Sequence, residues 1–221
     1  MKPLNTYIDH TLLKATATKN DIITLCDEAK AHQFFSVCVN SCYVKLAKQQ
    51  LKNTTVKVCS VIGFPLGAMS TDAKVAETKA ALKDGADEID MVINVGLLKS
   101  KEFDAVWKDI EAVKAIMPNN VLKVILETCY LEEVEIIKAS ELAIQSGANF
   151  IKTSTGFGTG GATINDVKLM KSVCKSCVKI KASGGIKDKK TALEYINLGV
   201  ERLGTSSGIA IINDETSNSN Y

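Results

Sequence analysis

Phe150-Ile151-Lys152-Thr153-Ser154-Thr155-Gly156-Phe157 opens as a short apolar run, carries one lysine, and breaks into a Ser/Thr/Gly turn. Such a run, closed by turn residues, reads as a buried strand. Its approach, Gly147-Ala148-Asn149, supplies a glycine that stops a helix and then a short connector. The frame recurs in Gly85-Ala86-Asp87-Glu88-Ile89-Asp90 and in Gly199-Val200-Glu201-Arg202-Leu203-Gly204. It sets Asp90, Lys152 and Gly204 at one register. Helix, glycine, connector and strand in repetition are the units of a parallel α/β sheet.

Working outward, strands are predicted over 7–12, 35–40, 56–62, 89–93, 122–127 and 202–205, together with the quoted stretch. Val178-Lys179-Ile180-Lys181-Ala182-Ser183-Gly184-Gly185 repeats its pattern as the seventh strand. Helices are predicted over 20–30 (capped by Asn20 or Asp21), 42–51, 103–117, 132–145, 164–174 and 188–198. Another begins at a Thr71-Asp72 cap. Eight strand–helix units without a composition break predict one domain, residues 1–212, closed as a (β/α)₈ TIM barrel. That is compact against a usual size of roughly 250 residues. A doubly wound open sheet is the other arrangement, and it would need no eighth strand. The polar segment 213–221 is predicted to be a mobile tail.

Of 221 residues, 46% are hydrophobic, enough for a full core without disulfides. The net charge of +2 comes from interspersed charges with no basic stripe, which argues against nucleic acid and anionic membrane as partners. No run approaches a membrane span and no signal peptide is visible, so a reducing cytoplasm is expected. The seven cysteines are odd in number and irregularly spaced, which predicts reduced, mostly buried thiols. Cys174 and Cys177 form the lone C-x-x-C. With only His10 and His32 present, no metal or cofactor is expected. His10 reads as a structural hydrogen-bonder and His32 as a helix flank.

Side chains alternate along a strand, so each strand has a polar face. Asp9, then Cys38 with Asn40, then Asp90, Lys123 with Glu127, Lys152 with Ser154, and Lys181 with Ser183 share those faces. In a barrel they point inward, where branched apolar residues are usual. Such an interior suits a reaction centre. The competing reading is a buried ionic network pairing lysines with Asp90 and Glu127; it best explains Lys123 and Lys179. A Schiff-base lysine must attack as the neutral amine. Two ammonium groups about 4 Å apart repel by about 4 kcal/mol at an effective dielectric of about 20. That is about a thousandfold in neutral fraction, a push Lys181 could give Lys152, with Asp90 available for proton transfer. The loops Ser183-Gly184-Gly185-Ile186 and Gly204-Thr205-Ser206-Ser207-Gly208 lie where barrels commonly hold a phosphate; ordinary glycine turns are the alternative.

Ile8-Asp9-His10-Thr11-Leu12-Leu13, Val37-Cys38-Val39-Asn40, Ile62-Gly63-Phe64-Pro65-Leu66-Gly67 and Glu88-Ile89-Asp90-Met91-Val92 follow one another in the order of a known family. With the two lysine motifs, the chain resembles the deoxyribose-phosphate aldolase family, class I aldolases on a (β/α)₈ barrel, over nearly its whole length. The resemblance implies a Schiff base on Lys152, with Lys181 and Asp90 moving protons. It implies reversible cleavage of 2-deoxy-D-ribose 5-phosphate to D-glyceraldehyde 3-phosphate and acetaldehyde, in deoxyribose phosphate catabolism. It implies phosphate at Gly156, Gly184, Gly185, Ser206 and Ser207, and no cofactor; Asp9, Cys38 and Asn40, offered by the polar strand faces, are expected to form a supporting polar shell. Dimers occur in the family, so a homodimer is compatible. Phe157 stands where some members carry a lysine. A C-terminal tyrosine occurs in some relatives, and Tyr221 is a candidate to fold over the site and assist proton transfer. Two other classes remain open at this point: a sugar-phosphate barrel isomerase or synthase, and a non-catalytic phosphate sensor.

Overall fold

The strands Ile8–Leu12 (β1), Ser36–Val39 (β2), Lys57–Ile62 (β3), Glu88–Val92 (β4), Val121–Ile125 (β5), Phe150–Lys152 (β6), Lys179–Ser183 (β7) and Arg202–Thr205 (β8) pair in parallel, each with the next. Strand β8 returns to β1 and closes the barrel. This computed structural model describes residues 2–174 and 178–217. Tyr221 and Cys177, singled out in the sequence, lie outside the described residues. Among the described residues, no helix is long and apolar enough to cross a membrane.

Outward side chains build the core between barrel and helices. Val37, Val58, Ile89, Met91, Val124, Ile151, Ala182 and Leu203 are fully buried there. Facing them are the apolar stripes of Lys19–Ala31 (α1), Val44–Gln50 (α2), Thr71–Asp84 (α3), Val95–Lys99 (α4), Phe103–Ala115 (α5), Glu133–Gln145 (α6), Ile164–Val173 (α7), Lys189–Asn197 (α8) and Gly208–Asn213 (α9). The glycines of the repeated frame, Gly85, Gly147 and Gly199, have φ of 104°, 79° and 92°. This left-handed stop lets each chain leave its helix and enter β4, β6 or β8.

The first helix starts earlier than the expected Asn20 or Asp21. Thr18 is the cap: its hydroxyl accepts the Asp21 N–H at 3.3 Å, and the Asp21 carboxylate accepts the Thr18 N–H at 2.7 Å. Thr18→Ala should lower the Tm by about 2–4 °C, readable by thermal melts. Likewise Ser70, not Thr71 or Asp72, caps α3. Helices α4 and α9 were not expected; at five and six residues they are too short to show a helical period. Asn94 caps α4 by accepting the Leu97 N–H at 3.1 Å. Past α9, the Glu215 N–H bonds Ala210 O and the Ser217 N–H bonds Lys187 O.

Candidate active site

Inward side chains stack in layers contributed by alternate strands. Ser36, Glu88, Phe150 and Arg202 come from the even strands near their starts. Asp9, Cys59, Lys123 and Lys181 come next from the odd strands, and Cys38, Asp90, Lys152 and Gly204 above them from the even strands. The register that the repeat aligned, Asp90, Lys152 and Gly204, is therefore one layer. Gly204 has a steric reason to lack a side chain: a Cβ there would stand 3.0 Å from Lys181 Cε.

The charged members form a closed ring of alternating sign. Asp90 Oδ1 accepts from Lys123 Nζ at 2.9 Å, and Lys123 also meets Glu88 Oε2 at 2.6 Å. Glu88 Oε1 meets Arg202 Nη2 at 2.6 Å, and Arg202 Nη1 bonds Asp9 Oδ1. Asp9 Oδ2 meets Lys181 Nζ at 2.6 Å, and Lys181 returns to Asp90 Oδ2 at 2.9 Å. Three carboxylates and three cations thus neutralise one another, each with two opposite neighbours. Lys152 is the seventh charge. It stands outside the ring, with Nζ 2.8 Å from Asp90 Oδ2 as its one carboxylate contact among the described residues.

Burial alone would raise the Asp90 pKa, but Lys123, Lys152 and Lys181 outweigh it and hold it well below the carboxylate range. Asp9 is lowered too, its burial overcome by Arg202, Lys181 and Lys123. Burial works against the Lys181 ammonium, yet Asp9 and Asp90 raise its pKa and keep it protonated. Asp90 thus stands between Lys152 and Lys181, so the bare repulsion assumed from sequence is not what the site contains.

Other expectations separate. Cys38 joins the centre, with its sulfur, the Cys59 sulfur and an Asp90 oxygen all within 4.8 Å. Asn40 sits at the rim, its amide donating to Leu13 O at 3.3 Å. Lys179 is outside the network, in an exposed pair with Glu201 at 3.2 Å. Glu127 leaves β5 with φ 55° and, among the described residues, pairs with no lysine; its carboxylate accepts the Thr155 N–H at 3.1 Å and the Thr155 hydroxyl. His10 faces outward and meets Glu28 Oε2 at 2.7 Å, while His32 caps α1.

The expected phosphate loops are laced together. Ser183 Oγ donates to Ser154 O at 2.5 Å, and Thr205 Oγ1 donates to Ile186 O at 2.8 Å. Gly156, Gly184 and Gly185 all have positive φ, and nothing lies within 4 Å of a Cβ placed on Gly185. Ser206 and Ser207 lead directly into α9. Phe157 packs edge-on against Phe64, ring centres 5.3 Å apart. Beside it a cavity of about 80 Å³ is lined by Pro65, Leu66, Val92, Tyr130, Thr155 and Phe157, among others.

The family model for DeoC/LacD family aldolases matches residues 4–212. The chain belongs to this family. It is 57% identical over 209 residues to the deoxyribose-phosphate aldolase of Finegoldia magna, covering 95% of this chain and 98% of that one. It is 58% identical over 210 residues to the deoxyribose-phosphate aldolase of Thermococcus kodakarensis, covering 93% and 94%. Among solved structures, the tetrameric deoxyribose phosphate aldolase of Aeropyrum pernix superposes with a TM-score of 0.89 at 31% identity, over 95% of this chain and 89% of that one. The protein is thus an aldolase, a carbon–carbon lyase.

Sequence reasoning about this aldolase missed Glu88 and Arg202, the members that close the ring, and Cys59, which donates to Asp90 at 3.1 Å. One signal was present: Arg202 is the chain's single arginine, at the start of a buried strand. The guanidinium is the one cation here that can fork to two carboxylates while lying over a ring; its Cζ is 3.2 Å from the centre of Phe35. The aldolase also buries Ser154 Oγ, on the Lys152 face, without a hydrogen-bond partner among the described residues. Such a hydroxyl is free to bind a polar atom of substrate.

Proposed function

We propose that this aldolase reversibly cleaves 2-deoxy-D-ribose 5-phosphate to D-glyceraldehyde 3-phosphate and acetaldehyde through a Schiff base on Lys152, in deoxyribose phosphate catabolism. The observation that carries the reading is the pendant position of Lys152. The ring is neutral without it, and among the described residues Lys152 is the one amine of the cluster that no second carboxylate holds. An amine so placed can leave its ion pair to act as the nucleophile such chemistry requires.

In this reading Lys152 Nζ attacks C1 of the open-chain sugar, and loss of water from the carbinolamine gives the iminium. The C2–C3 bond then breaks, its electrons flow to the iminium nitrogen, and the C3 hydroxyl gives up its proton. The enamine is protonated at C2 and hydrolysed to release acetaldehyde. Lys181, kept protonated, is the proton donor. A carboxylate held as low as Asp90 is a poor resting place for a proton, so Asp90 passes protons on rather than storing them. Backbone amides at Gly156, Gly184, Gly185, Ser206 and Ser207 hold the phosphate, and Asp9, Cys38 and Asn40 support the centre. The catalytic unit is residues 1–212. Tyr221, in the tail 213–221, is a candidate proton carrier. The partner is a small phosphorylated sugar, and the setting is the cytoplasm, without cofactor.

Borohydride reduction in the presence of acetaldehyde, followed by peptide mass mapping, tests the proposal. A reduced two-carbon adduct on Lys152 is expected. No adduct, under conditions that trap a known imine-forming aldolase, would overturn it.

A further inference from the structure

Two thiols beside the reacting amine take no covalent part in this chemistry. Cys38 and Cys59 are direct partners in the parallel pairing of β2 and β3. Both are fully buried and both point inward. Neighbouring strands lie about 4.7–4.9 Å apart, inside the Cα separation of roughly 4.4–6.8 Å that a disulfide spans. With the sulfurs already within 4.8 Å, side-chain rotation suffices to join them.

We propose that Cys38 and Cys59 are a redox modification site, closing into a reversible disulfide when the protein meets a hydroperoxide. The environment divides the roles. The Cys59 side chain beside it lowers the Cys38 pKa against the cost of burial, and Lys181 and Lys152 add to it. Burial raises the Cys59 pKa well above the usual thiol value, so that sulfur keeps its proton. Cys38, as thiolate, attacks the outer peroxide oxygen. The S–O bond forms, the O–O bond breaks, and the departing alkoxide takes the proton Cys38 gave up, leaving an alcohol. Cys59 sulfur then attacks the sulfenic sulfur. The S–S bond forms, the S–O bond breaks, and hydroxide leaves with the Cys59 proton as water. In total, two thiols and one hydroperoxide give one disulfide, one alcohol and one water.

The consequence reaches Asp90. Cys59 now donates to Asp90 Oδ1 at 3.1 Å and receives Lys123 Nζ at 3.5 Å. A disulfide sulfur has no proton to donate, so Asp90 loses one hydrogen bond and the Lys123 corner of the ring loses an acceptor. Cys26 is buried with its pKa pushed up to about 11 by burial, and Cys42 is exposed.

The intact protein is treated with hydrogen peroxide, quenched with iodoacetamide, and mapped without reduction. A cross-linked Cys38–Cys59 peptide is expected, with turnover falling about tenfold or more, the weight of a hydrogen bond to a charged group. Dithiothreitol should reverse both. In Cys59→Ala, Cys38 should stop at singly oxidised forms, read by mass independently of turnover. Reduced Cys38 and Cys59 under peroxide that oxidises Cys42 would overturn the proposal. So would a Cys38 sulfinic acid without cross-link in the unaltered chain.

Discussion

Lys152→Ala is expected to lower aldol turnover by on the order of 10⁴-fold or more while leaving the barrel close to its original stability. The two halves of that result have separate causes. The amine is the proposed covalent nucleophile, and no other side chain can take its place. Lys181 is tied to Asp9 and Asp90, and Lys123 to Glu88 and Asp90. Neither can leave without stranding a carboxylate in the interior. Lys152 carries no such duty. Deleting it leaves three carboxylates and three cations still paired around the ring, and Asp90 keeps Lys123, Lys181 and Cys59. Acetaldehyde release from 2-deoxyribose 5-phosphate, measured beside a thermal melt, checks both. Near-normal turnover would remove the Schiff-base reading. A collapsed melt would show that the ring needs its seventh charge.

Much of this was legible in the sequence because period and register are local properties. The glycine frame that ends three helices placed Asp90, Lys152 and Gly204 in one layer without any contact being known. Strand alternation then gathered Asp9, Cys38, Lys123 and Lys181 on inward faces. What stayed hidden lies at strand ends. Placing the start of the fourth strand at Ile89 put Glu88 outside the alternation, although β4 begins at Glu88. Running the fifth strand on to Glu127 gave that carboxylate an inward role, but the left-handed backbone there turns it to Thr155. Pairing across the barrel was beyond reach for another reason. Arg202 and Glu88 are 114 positions apart, and alternation says which way a side chain points but not which opposite charge it meets.

Arg202→Ala is the second large effect, and it falls on stability. The guanidinium closes two sides of the ring, holding Asp9 and Glu88 at once. Its removal leaves both carboxylates buried with one partner fewer, and breaking such a pair costs about 3–5 kcal/mol. That is a large share of the roughly 5–15 kcal/mol that holds a domain together. The Tm should fall by roughly 10 °C. Arg202→Lys should recover little, because one ammonium cannot fork to two carboxylates across the Phe35 face. The pH dependence distinguishes this cause from lost packing. In the unaltered protein the folded Asp9 pKa is depressed, so its contribution is full above the unfolded value of about 3.9. It is lost as pH falls through the folded value. Without Arg202, the cost of burying Asp9 is less opposed and its carboxyl protonates at higher pH. Protonation removes the stranded charge, so the variant regains ground while the unaltered protein begins to lose it. The Tm gap should therefore be widest near neutrality and narrow toward pH about 4. Melts of both proteins across that range read it directly, and a gap that stays constant would assign the loss to the missing side-chain volume instead.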